Sequence, residues 1–235
     1  MDAALDAGLT PSAVFAVSGR QPLVGAAVER ASQAGAPVYA VDERTLHSLA
    51  QTREPQGVVA QVPFIERDAS ALAAIVPASG PGGVLVLDDL DDPGNAGTLI
   101  RSAEAFGACA VCVGPSSVEP YNDKLVRATM GAIFRVPIVR YADWPQFEAE
   151  LKRLNFSLIA ATAGAPDIRS IDAPKRCALI LGNERRGLNA VPEGAIGLTV
   201  GIPQRTAAES LNVAVAGSIL LYELSRCGLW LGTKQ

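Results

Sequence analysis

Apolar and polar positions alternate along the chain in short β-branched runs and longer segments of helical period. Residues 13–17 (A-V-F-A-V) read as a strand. Pro22 to Gln33 reads as a helix, with proline near its start and Gly35 just past its end. Residues 37–41 form a second strand, and 57–62 (G-V-V-A-Q-V) a third. Between them, Asp42 can cap a helix carrying Leu46 and Leu49. The pattern then weakens to one modest apolar helix, Ala69–Ile75, and the turn-rich P-A-S-G-P-G-G. This divides the chain into a small α/β domain at 1–66, a linker at 67–82 and a larger domain at 83–235.

In the larger domain, strands are expected at Val84–Leu87, within the apolar run Ala108–Val113, at Phe156–Ala161 and at Cys177–Leu181. Helices are expected from about Thr98 to Phe106, closed by Gly107, and from Trp144 to Leu154. Such alternation predicts a parallel α/β sheet. A final short strand begins at Val200 and is stopped by Pro203, which cannot donate to a ladder. Thr206 and Glu209 have capping-box spacing, so a long helix is expected to start there. It carries apolar or small residues on nearly every side and is expected to be buried.

With 235 residues, 49% apolar and 19% charged, the composition is that of a soluble globular protein. No apolar run reaches membrane-spanning length, and the start M-D-A-A-L-D-A lacks the regions of a signal peptide, so a cytoplasmic location is expected. The net charge of −4 argues against a general nucleic-acid coat. A local basic patch is compatible with it: Lys124, Arg127 and Arg135 gather positive charge, either as a solvated face or as a phosphate contact. Cys109 and Cys112 form a C-x-x-C, but strand residues three apart point to opposite faces. His47 is the only histidine. No metal site is expected, and Cys109, Cys112, Cys177 and Cys227 read as reduced thiols.

Three stretches can carry chemistry. The strand at Val84–Leu87 runs into Asp88, Asp89, Asp91 and Asp92, then P-G-N-A-G-T. Ligands sit beyond the carboxyl ends of parallel strands, so this loop is a candidate site. Either the aspartates hold Mg²⁺ for phosphoryl work, or Asn95 and Arg101 are the working pair and the aspartates are turn and cap residues. Arg101 is otherwise a surface arginine paired with Glu104 or a neighbouring carboxylate. The strand ending at Leu181 runs into G-N-E-R-R-G-L, whose glycines let a ligand approach the backbone. There Glu184 either accepts from a ligand or pairs with Arg185 or Arg186. At the last helix, Ser210 and Asn212 are caps or face a ligand at the N-terminus.

Taken in order, D-D-L-D-D-P-G-N-A-G-T-L-I-R-S-A-E-A-F-G (88–107), L-I-L-G-N-E-R-R-G-L (179–188) and I-P-Q-R-T-A-A-E-S-L-N-V-A-V-A-G-S-I-L-L-Y-E (202–223) closely resemble the three motifs of the SpoU/TrmH branch of the SPOUT RNA 2′-O-methyltransferases. The segment 126–138 is also similar to the family's intervening stretch. The resemblance implies an α/β-knot domain, bound S-adenosylmethionine and a homodimer whose contact suits the small-residue face of the last helix. It implies cofactor contacts at Gly182, Ile202 and Leu211, with Leu181, Asn183 and Pro203 beside them. It matches Asn95, Arg101, Glu184, Ser210 and Asn212 to the active site, and Arg185 joins the basic residues as an RNA contact. The first 65 residues look like the latter part of an L30e-like RNA-binding domain; the usual opening is absent, so an abbreviated domain is expected. Gln204 and Thr206 stand where the third motif usually has methionine and glycine.

The implied reaction is methyl transfer to a ribose 2′-OH, on ribosomal RNA in preference to tRNA. An arginine normally titrates at about 12.5–13.8, so Arg101 is expected to stabilise alkoxide charge while a substrate phosphate or Glu184 relays the proton. Two other readings are a Mg²⁺-dependent phosphohydrolase using Asp89 and Asp91, and a non-catalytic RNA-binding module whose cofactor site has decayed at Gln204 and Thr206.

Overall fold

The computed structural model describes residues 1–18, 22–50, 52, 54–189, 191–192, 194–205 and 210–226. The capping-box pair Thr206 and Glu209, and Cys227, lie outside these residues. The chain divides into two compact units, Met1–Ile65 and Glu66–Gln235.

The first unit runs α1 (Asp2–Asp6), β1 (Ala13–Val17), α2 (Pro22–Gln33), β2 (Val38–Val41), α3 (Glu43–Leu49) and β3 (Val58–Gln61). Its sheet has the order β2-β1-β3, with β1 parallel to β2 and antiparallel to β3. Val14, Ala31 and Ala36 form its small core. Asp42 caps α3, accepting from the Thr45 amide at 2.7 Å.

The second unit holds α4 (Leu72–Ile75), β4 (Gly82–Leu87), α5 (Pro93–Ala105), β5 (Ala110–Val113), α6 (Asp123–Ala128), β6 (Ile138–Arg140), α7 (Trp144–Arg153), β7 (Ser157–Ala161), β8 (Arg176–Leu181), β9 (Leu198–Val200) and α8 (Val213–Arg226). Six strands lie in the order β6-β5-β4-β8-β7-β9, every pair parallel. Parallel sheets bury both faces, and the side-chain alternation builds two apolar layers. Val84, Val86, Cys112 and Ile180 pack with Leu72, Trp144, Phe147 and Leu151. Leu85, Leu87, Leu179 and Leu181 pack with residues of α5, α6 and α8.

Four expectations are corrected. The helix expected from Thr98 starts at Pro93, because Asp92 caps it, accepting from the Asn95 amide at 2.8 Å, and proline suits the first helical turn. The last helix starts at Val213, later than the capping-box spacing implied. There Asn212 Oδ1 accepts from the amides of Ala214 and Val215 at 3.0 and 3.2 Å. Nor is that helix buried all round. Its small face is filled within the protomer: a Cβ on Gly217 would lie 2.5 Å from both Leu181 Cδ1 and Leu99 Cδ2, and Ser218 shares a 2.7 Å hydrogen bond with Ser102. The large residues Val215, Ile219 and Tyr222 are the exposed ones, so the small-residue face is not free for a second copy. Finally, β5 begins only at Ala110, so Cys109 precedes the strand and borders the same apolar layer as Cys112. Burial pushes both thiols above their usual range.

Candidate active site

Three loops leave the carboxyl ends of β4, β8 and β9 and meet. The loop after β4 carries the aspartates, the loop after β8 carries residues 182–188, and the segment after β9 leads to α8. Glu184 joins all three. Its Oε1 accepts from Asn95 Nδ2 at 3.0 Å, Asn212 Nδ2 at 3.1 Å and the Val213 amide at 3.2 Å. Asn212 Nδ2 also donates to Asn95 Oδ1 at 3.0 Å. A carboxylate at the start of α8 is favoured by the helix dipole. Neither Arg185 nor Arg186 pairs with it.

A second clasp ties the first two loops. Arg186 donates to Asp89 at 2.6 Å and Asp91 at 2.8 Å, and these carboxylates, Asp89 first, raise its pKa. Asp89 is buried and sits at φ 58°, a left-handed conformation that aspartate tolerates better than most residues. Asn183 Nδ2 donates to the Asp89 carbonyl at 2.9 Å, while its Oδ1 accepts from the Arg185 and Arg186 amides. Asp88 accepts from the Asn189 amide at 2.8 Å, and Asp92 caps α5. The aspartates thus serve as turn, cap and ion-pair residues.

The loop after β8 is closed by reciprocal bonds between the Asn183 and Gly187 backbones, at 2.8 and 2.9 Å. Between this loop, β9 and α8 lies a cavity of about 350 Å³. That is within the range of about 300–1,000 Å³ usual for ligand sites. Of the expected contacts, Leu181, Gly182, Asn183, Ile202 and Leu211 line it, as do Glu184, Ser210 and Gln204. Pro203 is exposed and does not. Thr162, Ala163 and Gly201, which no sequence motif marked, also contribute.

Asn95 and Asn212 reach the cavity wall through Glu184. Arg101 lies on the same helix as Asn95, fewer than two turns on, along an exposed face with Thr98 and Ala105. Glu104 pairs instead with Arg135 at 2.9 Å, and Arg101 has no hydrogen-bond or ion-pair partner among the described residues. Arg101 is therefore a surface arginine without the expected Glu104 pair. Of the other basic candidates, Lys124 lies 3.8 Å from Asp92 and Arg127 lies 2.6 Å from Asp123. These exposed pairs are weak and can yield to a phosphate. The Arg185 side chain is exposed.

Glu184→Ala removes the acceptor shared by three donors. It is expected to cost about 1 kcal/mol and lower the melting temperature by several degrees, with Glu184→Gln retaining most of that stability; circular-dichroism melts check this. An unchanged melt for the alanine variant would show that the loops meet without the carboxylate.

Comparison with known proteins agrees with this geometry. The SpoU rRNA Methylase family model matches residues 83–222, and the model for RNA 2′-O ribose methyltransferase substrate binding matches residues 2–67. The chain is 34% identical over 194 residues to the 23S rRNA (guanosine(2553)-2′-O)-methyltransferase RlmP of Bacillus subtilis, covering 82% of this chain and 74% of that protein. Its structure aligns with an AdoMet-bound rRNA methyltransferase from Sinorhizobium meliloti at TM-score 0.82 and 30% identity, covering 96% of this chain and 83% of the other. It aligns equally, at TM-score 0.82 and 27% identity, with the SpoU methyltransferase AviRb of Streptomyces viridochromogenes in complex with AdoMet, covering 96% and 86% of the two chains.

Proposed function

The chain belongs to the SpoU family of rRNA methylases, and on that premise we propose that it moves a methyl group from S-adenosylmethionine to the 2′-oxygen of a ribose in ribosomal RNA. One observation carries the reading for this chain: Glu184, on the wall of the cavity, binds the loop after β8 to Asn95 of α5 and to the start of α8.

The cavity suits the cofactor. Its walls are mostly aliphatic, from Leu181, Ile202, Leu211 and Leu220, with the backbone of Gly182 and Gly201 between them. A Cβ on Gly182 would lie 2.4 Å from the Gly187 carbonyl oxygen, so the loop turns more tightly than a side chain permits. Gly182, Ile202 and Leu211 hold the cofactor in this assignment, with Leu181 and Asn183 beside them. When bound, it supplies a methyl carbon on a sulfonium and leaves as a neutral thioether.

Arg101 meets the ribose. Its guanidinium, without an ion-pair partner among the described residues, stabilises negative charge as the 2′-oxygen gives up its proton. The proton passes to a phosphate oxygen of the substrate. Glu184 is a positioning residue, because the oxygen facing the two asparagines is already engaged. Asn95 and Asn212 align that acceptor with α5 and α8, and Ser210 borders the cavity mouth. The first domain and the basic residues Lys124, Arg127, Arg135 and Arg185 contact RNA, with residues 67–82 as the connection to the catalytic domain at 83–235. Ribosomal RNA as substrate assigns the protein to the cytoplasm, and no step in this reading calls for a metal. Among the described residues no helix is long and apolar enough to cross a membrane.

The working form is a homodimer in this reading. Val215, Ile219 and Tyr222 make an exposed apolar stripe on α8, and the Tyr222 ring meets that of Phe106, just past α5, with centroids 5.6 Å apart and planes 59° apart. A partner seated there closes over the side of α5 next to Arg101. Ile219→Glu is expected to yield monomers in analytical ultracentrifugation and to lose most activity; a dimer persisting at micromolar concentration rejects this surface.

Tritiated methyl transfer onto total unmodified RNA, with mapping of the labelled nucleotide, tests the function. Label on a ribosomal-RNA ribose is the expected result. No transfer to any RNA together with no saturable cofactor binding would point to the non-catalytic module, and label on tRNA alone would correct the substrate.

A further inference from the structure

Between α6 and the short turn Ala132–Phe134 the chain passes through two left-handed residues in a row, Met130 at φ 50° and Gly131 at φ 87°. Both flanks are anchored. Thr129 is fully buried, and its hydroxyl donates to the Val126 carbonyl at 2.7 Å. Ala132 and Ile133 belong to the apolar layer that α5 shares. Glycine takes a left-handed backbone without strain, and asparagine tolerates it. Methionine does neither, and its side chain gains little from the fold, being 71% exposed. One exposed apolar residue is ordinary. Apolar bulk held outward on a backbone that resists it is not, and strain of this kind clusters at functional sites. Apart from the stripe on α8, Met130 is the one exposed large hydrophobic residue of the second unit among the described residues.

Helical spacing brings this residue to the Arg101 side of α5. Gly97, Arg101 and Glu104 follow one another at steps of four and three, so they form one row along the helix. Gly97 packs on the end of α6, where a Cβ on it would lie 2.5 Å from Ala128 Cβ. Glu104 binds Arg135 at 2.9 Å. The segment from Ala128 to Arg135 therefore runs beside this row, with Arg101 and Met130 in the middle of the two facing stretches. Cations surround the pair. Lys124, Arg127 and Arg135 lie there, bound to Asp92, Asp123 and Glu104 respectively.

These surroundings define the occupant. Phosphates suit the cations, but a thioether among them needs something apolar. A lone side chain offers far too little area to seat another protein, whereas the face of one base is a match for it. Methionine sulfur makes favourable contacts with aromatic rings, and proteins that recognise RNA sequence do so largely on unstacked bases. We infer that Met130 packs against an unstacked base of the substrate RNA, beside the ribose that Arg101 meets, and holds that nucleotide on α5 while the neighbouring cations take the phosphates. The inference rests on the RNA methyltransferase reading.

The test compares the full chain with Met130→Gly, Met130→Asn and Met130→Leu on unmodified ribosomal RNA. Filter binding reads RNA affinity, transfer at subsaturating RNA reads activity, and calorimetry reads S-adenosylmethionine. Met130→Gly and Met130→Asn are expected to bind the RNA about tenfold more weakly, with transfer falling in proportion. Cofactor affinity and oligomeric state are expected to stay as in the parent, and the melting temperature to equal or exceed it, since both substitutions suit the left-handed backbone. Met130→Leu keeps the apolar bulk and is expected to recover most of the affinity. A base contact leaves the slope of log affinity against log salt unchanged, whereas Arg127→Ala is expected to flatten it by about 0.7–0.9. Parent-like RNA affinity in Met130→Gly and Met130→Asn, or a flattened slope in them, overturns the inference. So does a change of oligomeric state in either, which would make Met130 a contact between copies. A parent protein that binds RNA without methylating it fails the reading beneath, while the binding comparison still decides Met130.

Discussion

Arg101→Ala is expected to lower methyl transfer to RNA by about 10²–10³-fold while S-adenosylmethionine binds as tightly as to the parent. The division follows from placement. Arg101 is exposed on α5, outside the cavity lining, and has no ion-pair partner among the described residues. Its loss is therefore expected to leave the fold and the cavity walls untouched and, in the proposed mechanism, to remove the cation that meets charge developing on the ribose oxygen. Arg101→Lys should recover part of the rate, since a lysine keeps the charge but not the planar fork. Single-turnover transfer and calorimetric cofactor titration separate the two quantities. A parallel fall in cofactor affinity would place Arg101 in the cofactor site instead.

Gly182→Ala is expected to do the reverse. The added carbon meets backbone on every near side: the Gly187 carbonyl oxygen at 2.4 Å, its carbon at 2.6 Å and the Leu188 nitrogen at 2.9 Å. No side-chain rotation relieves backbone contacts. The loop must open, breaking the paired bonds between Asn183 and Gly187 and loosening the clasp on Asp89 and Asp91. Overpacking of this kind costs about 1–3 kcal/mol, and cofactor affinity should fall by about one to two orders of magnitude, at about 1.4 kcal/mol per decade. Gly187→Ala is the useful contrast. Gly187 has φ +71° but nothing within 4 Å of the added carbon. Only backbone strain of about 1–2 kcal/mol applies there. Wild-type cofactor affinity in Gly182→Ala would contradict the proposed role of the tight turn.

The sequence made the three loops legible because each follows a compact apolar strand and is rich in residues that mark turns. It did not reveal how they are fastened. Asn95, Glu184 and Asn212 lie far apart in the chain, and each alone reads as an ordinary surface or cap residue. The same holds for Arg186 and the aspartates, which local reasoning paired with nearer neighbours. Element starts were the weakest point. Pro93-Gly94 reads as a turn, yet Asp92 as cap makes the proline a helix opener. β6 escaped notice because three residues carry no period, and only pairing with β5 makes them a strand. Tyr141 gave no signal, since an aromatic beside Trp144 and Phe147 reads as packing. That its buried hydroxyl lacks a hydrogen-bond partner among the described residues emerges only from the packing against Gly114.

The central strand β4 has its partner β8 only after β5, β6 and β7 and the helices between them have been made. Until then one side of an apolar, β-branched strand has nothing to bond to. Such distant pairing slows assembly, and an open edge invites other chains. A chain cut off before Arg176 therefore keeps that inner edge open and is expected to aggregate where the whole chain does not.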